Sequence, residues 1–388
     1  MQTQEDNCIG NKVPYGVLNC DAGALITPMR VIMMKRNILA VVIPALLAAG
    51  AANAAEVYNK DGNKLDLTGK IEAAHYFGDE SKSVMGDGDQ TFARLGFKGE
   101  TKINSDLTGY GRFEYQFDAS SAEDTNSTAG KTRYAYAGLK FGDFGSLDYG
   151  RNRAVGYDGL SYTDVLPEQG GDSVYTDNIT GRNAGVATYR NKNFFGLVDG
   201  WDFALGYQAK HDDSSEYRRK TGDGWAVSSS YTAPFGVGVI GSYTAADRTD
   251  KQTADNRGKK AEAWATGLKY DANNIYVATT YGEYHNLSYK NAAATSAYDK
   301  TKVFEAVAQY NLDFGLTPSL GYVSAKADDD SAKTSGYLKK YVSIGATYAF
   351  NKNFSTLVEY DINLIKDDSN QLGVKTGNTV AVGAIYQF

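Results

Sequence analysis

The segment from Asn152 to Gly181 carries most of the side chains that could do chemistry. Acidic and aromatic residues lie close together in the strings Tyr157-Asp158, Tyr162-Thr163-Asp164, Leu166-Pro167-Glu168 and Gly170-Gly171-Asp172. Irregular segments of about 30 residues are uncommon in compact domains and are usually functional where they occur. Carboxylates gathered on a folded loop attract or repel ions, so the segment predicts an electrostatic role without a covalent step.

Signatures of catalysis and metal binding are missing from the sequence. The 3 histidines are not at metal-ligand spacing, and no nucleophile elbow is present. Gly236, Gly238 and Gly241 fit the formal G-x-G-x-x-G pattern. A dinucleotide site needs a helix after that turn, whereas Val237 and Val239 continue a strand pattern. We therefore expect no enzyme activity, no cofactor and no metal.

Polar and apolar residues alternate in segments of about ten residues, the length of a membrane-spanning strand. Leu65, Leu67 and Ile71 interleave with Asp66 and Lys70, so that one face is apolar and the other is charged. The same period of two recurs in residues 107–118, 201–208 and 342–350. Strict alternation predicts strands, and it places Lys70 on a polar face.

The connections between these segments alternate in length. Short turns, such as Asn104-Ser105-Asp106, are separated by long polar stretches, such as residues 210–223 and 246–260. Short turns on one rim and long loops on the other are typical of outer-membrane barrels. We predict an all-β protein, a transmembrane antiparallel β-barrel of about 16 strands. Tyr386 and Phe388 end its last alternating strand, and this aromatic terminus is expected to be the signal for assembly.

The bulk composition agrees with a barrel. Mean hydropathy is −0.43, and a barrel keeps it low because only alternate residues face lipid. The chain has 29 Tyr, 42 Gly and only 6 Pro, which is unusual for a soluble globule. Its net charge of −6 argues against nucleic acid as a partner. The acidic run Asp328-Asp329-Asp330 predicts a solvated loop tip, with contact to divalent cations or lipopolysaccharide as the alternative.

The N-terminal region predicts export. Lys35 and Arg36 precede the apolar stretch of residues 38–49, and Ala52-Asn53-Ala54 is a small-x-small cleavage site. We expect a signal peptide at residues 33–54, a spurious N-terminal extension at residues 1–32, and the mature barrel at residues 55–388. Both cysteines lie in the expected extension, so the mature chain would have no disulfide.

Four strings of residues carry a resemblance to a known family. They are Pro167-Glu168-Gln169-Gly170-Gly171-Asp172, Ala93 to Glu100 (ARLGFKGE), Tyr149-Gly150-Arg151-Asn152 and Asn193 to Gly200 (NFFGLVDG). Across residues 55–388 the chain resembles the general diffusion porins of enteric Gram-negative bacteria, the osmoporin and matrix-porin family. The resemblance implies an outer-membrane homotrimer of 16-stranded barrels that passes ions and small hydrophilic solutes by passive diffusion. It also implies contacts with outer-membrane lipid, lipopolysaccharide and the barrel assembly machinery.

The resemblance further implies a third loop folded into each barrel to form a charged constriction. Asp164 and Glu168 match its acidic side and are expected to supply most of a cation preference. The residues that match its basic side are Lys70, Arg94, Arg133 and Arg182. Glu123 matches a residue that latches onto a neighbouring subunit, with Arg151 as a plausible partner.

Two residues depart from the family pattern. Gln169 stands where the family usually carries Phe, and Arg112 stands where a Gln is usual. Arg112 either pairs with Glu114 on the same strand face or stands free, and both departures bear on size and charge selectivity. The alternative function is a substrate-specific channel of the oligosaccharide type, which needs a file of aromatics such as Tyr110 along the lumen. A barrel enzyme or adhesin is the remaining alternative.

Overall fold

The computed structural model of the protein describes residues 54–79, 86–121, 130–169 and 179–388. The expected extension and nearly all of the expected signal peptide, together with Glu123 and Gly170-Gly171-Asp172, lie outside these ranges. Within them the regular secondary structure is almost entirely strand. No helix there is long and apolar enough to cross a membrane.

The described elements are eighteen strands, two four-residue helices and four 3₁₀ turns. The strands are β1 (Ala55–Lys60), β2 (Asn63–Gly78), β3 (Gly88–Asp89), β4 (Phe92–Lys102), β5 (Thr108–Asp118), β6 (Lys131–Lys140), β7 (Ser146–Arg153), β8 (Arg182–Asn191), β9 (Trp201–Gln208), β10 (Gly224–Thr232), β11 (Val237–Asp247), β12 (Lys260–Ala272), β13 (Ile275–His285), β14 (Lys300–Tyr310), β15 (Leu316–Asp329), β16 (Thr334–Ala349), β17 (Phe354–Asn363) and β18 (Thr379–Gln387). The α-helices are α1 (Asn193–Gly196) and α2 (Asp250–Thr253), and the 3₁₀ turns are Gly142–Phe144, Val155–Leu160, Tyr217–Arg219 and Asp367–Ser369.

Antiparallel pairing closes these strands into a ring. β2 pairs with β4, each strand from β4 to β17 pairs with the next, and β18 pairs back with β2. The ring therefore contains 16 of the described strands, while the short β1 and β3 add further pairs to β2. The predicted closed barrel of about 16 strands is confirmed.

The two ends of the barrel domain meet along β2. Phe388 donates its backbone N–H to the Gly69 carbonyl at 2.9 Å and accepts from the Gly69 N–H at 2.8 Å. Ala55 pairs with Leu67, so β1 and β18 pair with successive parts of β2. Because the sheet closes in this way, neither end leaves a long unpaired edge.

The distribution of side chains in the barrel is the reverse of that in a soluble protein, with apolar residues outside and polar residues inside. Large apolar side chains such as Ile71, Leu95, Val239 and Leu320 are exposed on its outer face. The residues that alternate with them are small or polar, and many, such as Ser343, are buried. An apolar outer band and a polar inner face are the pattern that a lipid environment requires.

Short turns of two to five residues close several hairpins at one end of the barrel. Asn273 and Asn274 join β12 to β13 with φ values of 55° and 64°. Left-handed conformations at both central residues match the twist of the flanking strands, and Asn tolerates them better than most residues. This connection is one of the short turns that the sequence predicts for one rim of the barrel.

Long connections at the opposite end are tied together by ion pairs and hydrogen bonds. Arg257 donates to Asp329 at 2.8 Å and pairs with Asp299. Asp328 accepts from the Ser335 hydroxyl at 2.7 Å. The acidic run at residues 328–330 is therefore partly compensated by neighbouring side chains rather than being a bare loop tip.

Candidate functional site: a charged loop inside the barrel

The connection that follows β7 begins against the inner face of the nearest strands. Asp158 accepts two hydrogen bonds from the Arg190 guanidinium on β8, at 2.8 and 3.0 Å. Its Oδ2 also accepts from the Ser228 hydroxyl on β10 at 2.5 Å. Val155 and Leu160 are each only 1% exposed, so the 3₁₀ turn is packed rather than solvated.

Close backbone approach carries the loop past β11. The Ser242 hydroxyl accepts from the Gly159 N–H at 3.2 Å and donates to the Gly156 carbonyl at 2.9 Å. A Cβ on Gly159 would lie 2.4 Å from Ser242 Oγ, and one on Gly156 would lie 2.6 Å from Thr244 Cγ2. Only glycine permits this contact, since both distances are shorter than van der Waals separation.

The loop continues across β13 and β14. Tyr276 donates its hydroxyl to the Tyr162 carbonyl at 2.6 Å, and Gln309 donates its amide to the Val165 carbonyl at 2.6 Å. These two side chains satisfy backbone carbonyls that a strand ladder would otherwise satisfy. The Thr163 hydroxyl donates to Glu305 Oε2 at 2.5 Å.

The tip of the loop is fixed to β16 and β17. Glu359 accepts from the backbone N–H groups of Glu168 at 2.9 Å and Gln169 at 3.2 Å. Tyr341 donates its hydroxyl to the Gln169 carbonyl at 3.0 Å. Residues 154–169, called here the inner loop, thus touch inner-face side chains from β8 round to β17.

The two acids expected at the constriction both have close partners. Asp164 accepts from the Tyr157 hydroxyl, and its Oδ2 lies 3.6 Å from Arg153 Nη1. Glu168 accepts from the Tyr76 hydroxyl on β2. It also contacts Glu72, whose carboxylate pairs with Lys70.

The four cations expected opposite these acids lie on the inner faces of β2, β4, β6 and β8. Lys70 stands across from Arg94 in the β2–β4 ladder. Arg94 Nε and Arg133 Nη1 both donate to Gln116 Oε1, at 2.9 and 3.4 Å. Arg182 lies 6.0 Å from the Tyr134 ring, and it is close enough to repel both Arg94 and Arg133. The structure therefore brings the four together.

Arg112 is paired. Its Nη2 lies 2.7 Å from Glu114 Oε2, while Arg133 Nε lies 2.6 Å from the other carboxylate oxygen. The Arg112 guanidinium also stacks 3.9 Å from the centre of the Tyr134 ring. Of the two alternatives for this residue, the structure shows the paired one.

Several site residues were not predicted from the sequence. Glu72, Tyr76 and Glu359 all lie on polar faces, so the period-two pattern marks them as inward without showing what they contact. Arg153 ends β7 just beyond a bulge between Gly150 and Asn152, which interrupts the alternation of the strand. Its partner Asp164 lies further along the irregular loop, so no spacing rule joins them.

Of the two residues expected to form the latch between subunits, the structure describes only Arg151. Arg151 donates Nε to the Thr132 carbonyl at 2.6 Å. With Arg182 and His211 it lines a polar cavity of about 370 Å³. Glu123 lies outside the described residues. Within those residues, no group of three or more side chains is arranged to hold a metal ion.

Comparison with known proteins assigns the family. A sequence profile described as Gram-negative porin matches residues 60–388. Outer membrane porin F of Escherichia coli strain K12 is 56% identical over 365 residues, covering 92% of this chain and 100% of that protein. Outer membrane porin OmpD of Salmonella typhimurium strain SL1344 is 52% identical over 372 residues, covering 93% and 98%.

Solved structures agree with the sequence comparison. A Salmonella typhi OmpF complex with daunomycin has a TM-score of 0.79 and 44% identity, covering 86% of this chain and 100% of that chain. The trimer form of Vibrio cholerae OmpT has a TM-score of 0.61 at 15% identity, covering 84% and 100%, and shows likeness of fold alone. The chain therefore belongs to the Gram-negative porins, channel proteins of the outer membrane.

Proposed function

We propose that the barrel is a water-filled pore for passive diffusion of ions and small hydrophilic solutes, narrowed by the inner loop. The observation that carries this proposal is the series of contacts between residues 154–169 and the inner face. It runs from Asp158, which binds Arg190 on β8, to Glu168, which binds Glu359 on β17. Because the ring is closed and apolar outside, the space beside that loop is the path for water.

Charge on the two sides of this path sets selectivity in the proposed mechanism. Asp164 and Glu168 belong to the acidic side, and Lys70, Arg94, Arg133 and Arg182 belong to the basic side. Opposed charges across a narrow hydrated gap create a transverse field that orients dipolar solutes. A nonpolar solute gains nothing from the field and must displace ordered water, so hydrophilic solutes pass best.

The proposal includes maturation and assembly. Cleavage after Ala54 leaves Ala55 at the start of β1, where it pairs with Leu67 directly beyond Phe388. We assign residues 33–54 to the signal peptide, residues 1–32 to a spurious extension and residues 55–388 to the barrel. Tyr386 and Phe388 present the barrel to its assembly machinery, and the mature protein is a homotrimer in lipid and lipopolysaccharide.

A substrate-specific channel for oligosaccharides is the second candidate. Tyr110, Tyr136 and Tyr134 form a row on the inner face, with 6.3 Å between the ring centroids of each neighbouring pair. Sugar rings pack against aromatic faces, so this row offers a binding track. Saturable block of ion current by maltooligosaccharides would favour this candidate, whereas unblocked current would favour general diffusion.

Single-channel recording in planar bilayers tests the main proposal. Purified protein should give stepwise, ohmic conductance, and its reversal potential in a salt gradient should depend on the inner loop. Asp164→Asn combined with Glu168→Gln should shift that potential toward anions, because negative charge is removed from the constriction. An unshifted potential in the double variant would show that the inner loop does not line the ion path.

A further inference from the structure

The acids of the inner loop are largely compensated by their own surroundings. Asp164 faces Arg153 at 3.6 Å, and the Arg153 guanidinium is also stacked 3.7 Å from the centre of the Tyr157 ring. The Tyr157 hydroxyl donates to the same carboxylate. Arg153 and Asp164 keep side-chain exposures of 29% and 31%, so the ion pair borders the lumen. A passing ion therefore meets a neutral pair and not a bare carboxylate.

The negative charge of Glu168 is also reduced, but by a neighbouring acid and burial rather than by a cation. It contacts Glu72 and accepts a hydrogen bond from Tyr76. Burial, followed by repulsion from the Glu72 carboxylate, raises the pKa of Glu168 to about 8. A carboxyl held in this way keeps its proton more readily than a free glutamate, so Glu168 adds less negative charge to the constriction.

Other carboxylates lie behind the inner loop. Glu305 and Glu359 are 1% and 0% exposed, because the loop covers them and donates hydrogen bonds to them. Charges that are covered in this way are reached poorly by water and by ions in the lumen. They hold the loop in place, and they add little to the field that a solute encounters.

The basic wall keeps an excess of charge. Among the residues that the structure describes, Arg94, Lys98 and Arg182 have no carboxylate within ion-pair distance. Arg112 and Arg133 share the single carboxylate of Glu114. Uncompensated cations therefore line β4 to β8, opposite acids that are paired or covered.

We propose that this pore selects small anions over cations, and that Arg153 is a selectivity-determining residue because it neutralises Asp164. The inference rests on the proposed pore and differs from the cation preference expected from Asp164 and Glu168 in the sequence. Rings of Arg and Lys favour anions in channels, whereas rings of Asp and Glu favour cations. The favoured solutes are small hydrophilic molecules that carry carboxylate or phosphate groups.

Reversal potentials in a potassium chloride gradient test this inference. The wild-type pore should be more permeable to chloride than to potassium at pH 7. Arg153→Gln leaves the Asp164 carboxylate without its cation and should lower the chloride-to-potassium permeability ratio by about twofold or more. Arg153→Lys keeps the charge and should stay near the wild type. Asp164→Asn leaves Arg153 uncompensated and should raise the ratio.

Lys140→Gln is the matched control. Lys140 pairs with Glu100 at 2.5 Å on the inner face of β4 and β6, with side-chain exposures of 43% and 46%. Loss of Lys140 also leaves a carboxylate, Glu100, without its cation. Because Glu100 is well solvated and away from the inner loop, the chloride-to-potassium permeability ratio should hardly change. The inference is overturned if the wild-type pore prefers potassium. It is also overturned if the wild type, Arg153→Gln and Asp164→Asn have equal chloride-to-potassium permeability ratios. Either result leaves the proposed diffusion pore standing. Absence of any conductance step would instead overturn the proposed function.

Discussion

Arg112 illustrates how a single substitution is absorbed by its neighbours. The residue adds a cation to the lumen, but it pairs with Glu114 and stacks on Tyr134 at 3.9 Å. Glu114 already accepts from Arg133, so loss of Arg112 would not leave an unpaired carboxylate. Loss of Arg112 would therefore remove one cation of the basic wall without exposing a carboxylate, whereas loss of Arg153 would leave Asp164 unpaired.

Gln169 provides a test of pore size. Its backbone is held by Glu359 and Tyr341 at the tip of the inner loop. Because these contacts use backbone atoms, Gln169→Phe should keep the loop in place while adding a bulky ring. We expect lower single-channel conductance and slower entry of larger sugars in liposome swelling. Gln169→Asn, which adds no bulk, is the control, and equal sugar rates for the wild type and Gln169→Phe would contradict the expectation.

The sequence predicts the direction of many lumen side chains but not their partners. Lys70 is inward because Leu65, Leu67 and Ile71 fix the phase of β2. That Glu72 on the same face contacts Glu168 could not be predicted, because the contact joins a strand to an irregular loop distant in sequence. Period-two patterning sets a face, whereas loop contacts depend on the closed barrel.

The strand that closes the barrel depends on its final residue. Phe388 makes two backbone hydrogen bonds to Gly69, and a Cβ on Gly69 would lie 2.3 Å from Phe388 Cζ. Deleting Phe388 removes both bonds and the ring that covers Gly69. We expect impaired assembly, seen as lower surface levels, with normal conductance in the pores that do assemble.

Phe314→Ala is the control for that deletion. Phe314 lies in the turn between β14 and β15 and is 63% exposed. Its substitution removes an aromatic ring without affecting closure of the barrel. Undiminished surface levels after deletion of Phe388 would show that the terminal aromatic is not needed for assembly.

Individual elements were predicted unequally well. Alternation and turn residues predict the strands and short turns such as that at residues 104–106, because both signals are local. The alignment of β1 with β18 along β2 depends on pairing between opposite ends of the barrel domain, which no local pattern contains. The path of the inner loop was anticipated only through the family resemblance, since its contacts run from β8 to β17.

At the scale of the whole molecule, outward apolar residues suggest more than contact with lipid. Ile71, Leu95 and Val382 are exposed on strands near the closure between β18 and β2. Further round the ring, beyond β5, strands β6 to β8 border the basic cavity of about 370 Å³ that includes Arg151 and Arg182. An apolar wall beside a basic cavity is a surface that a second copy of the chain can cover with an acidic loop.

Glu123 is the residue we propose to enter that cavity from a neighbouring subunit. Glu123→Ala would remove a charge-assisted hydrogen bond, which contributes on the order of 1.5–3 kcal/mol when it is desolvated. The trimer should therefore dissociate at a lower temperature, measured as loss of the trimer band on gels of unboiled samples. Asp368→Ala, which removes an exposed acid from another long loop, should leave dissociation unchanged. If Glu123→Ala melts like the wild type, the trimer is held by the apolar wall alone; if Arg151→Ala alone lowers the temperature, the cation acts within its own subunit.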